Sequence, residues 1–168
     1  MNSIGILIFD GVDIGEVVTP YRVFATAATL HAARHPHDRL FRCFMIAATM
    51  RPVHASGGLK ILPDCVPIAP AEIDILIVPA GSATLPADHD SVKWLRDCEA
   101  ASVKRVWSDN ATAASRCLAL VRQYGGETLA LATAQQLGSS ADPALEQQQN
   151  RSYRDERRSA NASLYSAA

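Results

Sequence analysis

Two short apolar runs, each stopped abruptly by turn residues, constrain this chain more than any other feature. Residues 4–9 read IGILIF and end at Asp10-Gly11, and residues 73–78 read IDILIV and end at Pro79-Ala80-Gly81. Apolar residues with little alternation over this length mark strands covered on both faces, as in a parallel sheet between helical layers. Parallel pairing demands a long crossover connection, and the segment after the first run supplies one. Thr19 offers an N-cap and Pro20 a first helical position. The alanine-rich stretch behind them places Val23, Phe24, Ala27 and Leu30 on one face of a helix.

The alternation continues. FRCFMIA at residues 41–47 is a second strand, and residues 53–55 and 59–62, flanking Ser56-Gly57-Gly58, form a small hairpin. Asp90 or Ser91 caps a helix reaching residue 101, residues 103–107 make a further strand, and residues 113–124 and 127–137 are helices closed by Gly125-Gly126 and Gly138. Strands alternating with helices imply an α/β fold: a flavodoxin-like, open, mostly parallel sheet with flanking helices. A length of 168 residues suits one such domain. The domain is expected over residues 1–140, with residues 141–168 a polar tail or loosely held helix.

Charge and cysteine usage narrow the functional classes. A net charge of −1 gives no electrostatic case for nucleic acid or an anionic membrane surface. The arginines at 151, 154, 157 and 158 are offset by Asp155 and Glu156 and read as a solvated face. No apolar run approaches the roughly 20 residues of a spanning helix. No secretion signal is read at the N-terminus, so a cytoplasmic location is expected. Cys43, Cys65, Cys98 and Cys117 are far apart and form no CxxC or zinc-type cluster. Neither a metal nor a cofactor is expected.

Ligands of open α/β sheets bind beyond the carboxyl ends of the strands. Three segments reach that edge: residues 10–19, 79–85 and 108–112. In the first, Glu16 precedes a helix N-terminus, where a carboxylate is stabilised, and Asp13 is a weaker second candidate. In the second, Gly81 can turn its N–H toward the cleft as an oxyanion donor, or simply end the strand. In the third, Ser108-Asp109-Asn110-Ala111-Thr112 has the small residues of a nucleophile elbow, yet Asp109 or Asn110 can equally cap the next helix. His31, His35, His37, His54 and His89 have no evident cysteine or serine partner in sequence.

In this order the segments resemble the DJ-1/PfpI superfamily of class I glutamine amidotransferase-like proteins. IGILIFDGV at residues 4–12, then Glu16, then TPYRVF at 19–24 resemble its opening. VHASGGL at 53–59, DILIVPAG at 74–81, SVKWLR at 91–96 and KRV at 104–106 resemble its later landmarks. The set is most similar to isocyanide hydratases and to the amidotransferase-like sensor domains of AraC-type regulators. The resemblance implies that Glu16 matches the acid that hydrogen-bonds the nucleophile, Gly81 an oxyanion donor, and Asn110 the nucleophilic cysteine. An amide is no nucleophile at neutral pH, so thiolate chemistry is absent at that position. AASRCLALVRQYGGE at 113–127 resembles a late helix of the family, which implies that a middle segment, with strands and helices after the elbow, is missing. A homodimer is implied by resemblance alone.

Two functions follow as expectations. One is a degenerate relative of isocyanide hydratases, with hydration or hydrolysis at a C–N bond of a small molecule and Glu16 as general acid/base. The other is a non-catalytic domain that binds a small polar ligand or dimerises, like the sensor domain of AraC-type regulators.

Overall fold

The structure is a computed structural model in which residues 1–79, 89–101, 103–108 and 112–138 are described. In chain order these contain β1 (Asn2–Leu7), α1 (Ile14–Arg34), β2 (Phe41–Ile46), β3 (Val53–His54), β4 (Lys60–Ile61), β5 (Ile75–Pro79), α2 (His89–Ala100), β6 (Lys104–Ser108), α3 (Ala113–Gly125) and α4 (Glu127–Gln136). The four long strands form a wholly parallel sheet in the order β2-β1-β5-β6, and β3 and β4 form a separate antiparallel hairpin. The expected α/β class and the mostly parallel sheet are both present. The expected C-terminal tail lies outside the described residues.

The order follows from the sequence. The central strands β1 and β5 are the two apolar runs, and Ile4, Ile6, Ile75, Leu76, Ile77 and Val78 are completely buried. In parallel register Ile4 stands beside Cys43 and Ile75, and Ile6 beside Met45 and Ile77, so these side chains share one face. Phe24 of α1 meets Phe41 of β2 edge-on, ring centroids 5.3 Å apart, and Phe41 meets Tyr124 of α3 at 6.4 Å. The helices α1, α3 and α4 pack together over this face. The β1–α1–β2 and β5–α2–β6 crossovers leave the β1/β5 pair in opposite directions, so right-handed connections put α1 and α2 on opposite faces. Trp94 of α2 donates its indole N–H to the Ile68 carbonyl at 2.8 Å, tying α2 to the segment before β5.

The outer edge of β2 is blunted. Asp64 accepts the Met45 N–H at 2.7 Å, and Ala47 N–H donates to the Cys65 carbonyl at 3.2 Å. Backbone groups that would invite another strand are thereby occupied along that stretch.

Two helix starts and one helix cap differ from the sequence reading. The first helix begins at Ile14 with Asp13 as its N-cap, accepting the Gly15 N–H at 2.7 Å. Pro20 is therefore the seventh residue of α1 rather than its first, and it withholds the N–H that would reach the Glu16 carbonyl. The earlier start is favoured because it turns the completely buried Val17 onto the core. The second helix begins at His89, so Asp90 and Ser91 lie inside α2. The N-cap position of α3 is Thr112, which places neither Asp109 nor Asn110 there. The chain reverses between α3 and α4 at Gly126, whose φ of 85° is the left-handed conformation that glycine adopts without strain.

Candidate functional site

The point where the crossovers diverge lies between β1 and β5, and the loops beyond the carboxyl ends there form the expected site region. Of the three segments singled out in the sequence, the one after β1 lies wholly among the described residues. Residues 80–88 and 109–111 lie outside them, so Gly81 and Asn110 are not placed.

The loop after β1 is held from two sides. Ile8 N–H continues the ladder to the Ile46 carbonyl at 2.8 Å. The hairpin then clips the turn: Gly11 N–H donates to the His54 carbonyl at 2.7 Å, and Ser56 N–H donates to the Val12 carbonyl at 2.9 Å. In return, Asp10 accepts the His54 N–H at 2.8 Å. Gly11 has φ 83°, a conformation that a side chain would strain. These bonds explain why the glycine-containing turn and the SGG hairpin occur together in one chain.

The chain then enters α1, and Glu16 falls in its first turn. Its position is a correction of detail: it stands within the helix rather than ahead of it, as the third residue after the Asp13 cap. Glu16 is only 3% exposed, and Thr133 is the other buried residue of polar character among the described residues. No buried side-chain polar atom among the described residues lacks a hydrogen-bond partner. A carboxylate at this depth is tolerated only with such partners and near a favourable dipole, and the first turn of a helix supplies the latter. Asp13, the weaker candidate, is spent on capping.

The cysteines stand elsewhere. Cys43 is in β2, Cys98 in α2 and Cys117 in α3, while Cys65 follows the hairpin. Burial pushes the Cys43 thiol up to about 12. Burial, helped by the neighbouring Cys43, pushes Cys117 up to about 12 as well. Cys65 is raised by burial and then by Asp64, and Cys98 by burial and then by Asp97. None of the four has the depressed pKa of an activated nucleophile. His31 is likewise engaged locally: its Nε2 lies 2.9 Å from Asp38 Oδ2, and its ring lies 4.6 Å from that of His35. No group of three or more His, Cys, Asp or Glu side chains among the described residues could hold a metal ion.

Sequence reasoning missed Arg51, which lines a cleft between the end of β2 and the hairpin. Its only signal was its place in the short stretch between a strand and the hairpin, just before Pro52. That cleft is separate from Glu16.

An open parallel α/β domain with a buried acid just past its first strand is the class that fold and site define. Several solved structures resemble it. An AraC family transcriptional regulator from Pseudomonas putida superposes with a TM-score of 0.68 at 18% identity, covering 82% of this chain and 99% of that one. A ThiJ/PfpI family protein from Pseudomonas syringae gives 0.67 at 15% identity, covering 84% of this chain and 76% of that one. Oxidised DJ-1 from Toxoplasma gondii gives 0.62 at 12% identity, covering 83% of this chain and 100% of that one. No protein-family model matches the chain, and no curated protein matches it. The chain therefore has the DJ-1/ThiJ/PfpI fold, and the resemblance read in its sequence holds at that level.

Proposed function

We propose that this protein is a small-molecule-binding domain built on the DJ-1/PfpI fold, related to isocyanide hydratases and to the sensor domains of AraC-type regulators, and without thiol catalysis. The observation that carries the reading is the buried Glu16 carboxylate just past β1, in a chain whose half-buried Cys43 and buried Cys117 have thiols raised to about 12. A buried carboxylate is costly unless its hydrogen bonds are made, and one held in this way beyond the strand ends is placed where open α/β sheets meet their ligands. Resemblance adds a cytoplasmic homodimer to the reading, and light scattering tests its oligomeric part.

The same observation favours a second reading, in which Glu16 still serves as general acid/base for water addition at a C–N bond. Both are tested together. Small isocyanides, amides and glyoxals are screened for a rise in melting temperature and, separately, for turnover. A ligand-induced rise that Glu16→Gln abolishes, with no product formed, supports the binding domain. Product formation that Glu16→Gln abolishes supports the enzyme. If Glu16→Gln instead lowers the melting temperature of the free protein by several degrees, the carboxylate is structural and both readings fail.

A further inference from the structure

We propose that the cleft at the carboxyl ends of β1 and β2 is a second ligand site, one that takes a small carboxylic acid with an apolar body, anchored by Arg51. The cleft holds about 600 Å³, within the usual size of small-molecule sites. It opens beyond strand ends, where open α/β sheets place their ligands. Its floor is apolar: Ile8 is completely buried, and Ala47, Phe9 and Val53 are buried beside it.

The polar groups on its wall have unequal commitments. Asp10 accepts the His54 N–H at 2.8 Å, and the His54 ring nitrogen stands 3.7 Å from the same carboxylate oxygen, so this anion is tied to the hairpin. Arg51 is not tied. Its guanidinium makes no hydrogen bond or ion pair among the described residues, and its backbone N–H donates to the Thr49 hydroxyl at 3.3 Å. Thr49 also lines the cleft, and its hydroxyl proton remains for a ligand acceptor. A guanidinium is always charged and offers a planar pair of donors that matches a carboxylate. One such fork above an apolar floor selects an acid whose remainder is hydrocarbon. The site does not depend on Glu16, which is not among its lining residues.

The test is a titration of the full chain, followed by backbone amide NMR, with benzoate, benzamide and benzylamine as matched probes. Benzoate is expected to shift the amides of Ala48, Arg51 and Val53, and to bind about tenfold more tightly than benzamide. Arg51→Ala should weaken benzoate about tenfold and leave benzamide unchanged, Arg51→Lys should restore part of the loss, and Glu16→Gln should change neither. Equal binding of benzoate and benzamide, tighter binding of benzylamine, an unaltered Arg51→Ala variant, or no shift at about 10 mM benzoate would overturn the assignment. Loss of benzoate binding in Glu16→Gln would overturn it too, by placing the ligand at the other site.

Discussion

The state of the buried thiols decides whether any cysteine could replace a missing nucleophile, and alkylation measures it directly. A cysteine at its ordinary value of 9.0 is about one-tenth thiolate at pH 8, whereas Cys43 and Cys117, pushed up to about 12, hold about one part in ten thousand. Burial is the first cause at both, because a thiolate loses its hydration in an apolar setting. Thiolate fraction alone slows iodoacetamide about a thousandfold, and 1% exposure of Cys117 adds a steric barrier that only opening of the fold removes. The assay is timed labelling at pH 8, quenched and read by peptide mass spectrometry, with a parallel sample in urea. Half-buried Cys65 should label first, Cys43 and Cys117 at least about a thousandfold more slowly than in urea, and the slow rates should rise about tenfold per pH unit. If Cys43 or Cys117 reacts in the native protein as fast as it does in urea, the burial argument is wrong. That cysteine then becomes a candidate nucleophile.

Three other outcomes test the fold and its caps. Asp13→Ala removes the bond to the Gly15 N–H and should cost about 1 kcal/mol in urea unfolding, with Asp13→Ser recovering most of it. Phe24→Ala empties a completely buried position beside Phe41 and should cost about 3–5 kcal/mol, read from the same transitions. The hydrogen bond from His31 holds the Asp38 carboxyl below its usual value of 3.8 in the folded state. A depressed folded value means that its contribution to stability is present above pH 3.8 and fades as pH falls through the lower folded value. Carboxyl NMR titration should show Asp38 returning toward 3.8 in His31→Ala.

Much of the fold was legible because β1 and β5 are buried on both faces and leave no alternation to misread. The α1 start was not, because the chain carries two valid signals six residues apart, Asp13 and Thr19-Pro20. Local propensity cannot rank them. The choice rests on burying Val17, a tertiary effect, and it leaves Pro20 inside the helix at the expense of one backbone bond. Glu16 was legible as a candidate because an acid near a helix start, past a buried strand, has few structural duties. Arg51 was not legible. Its setting arises only when the hairpin folds back on the loop after β1, which brings Val53 and His54 beside Ile8 and Asp10.

The hairpin clip settles how the chain passes from β1 into α1. Gly11, Ser56 and the Asp10–His54 pair fix the path from β1 into α1. Part of the frame that places Glu16 is thus built from β1, β2 and the hairpin. A substitution at Gly11 should disturb the Glu16 site and lower the melting temperature, because a side chain at φ 83° strains the turn from which α1 is launched.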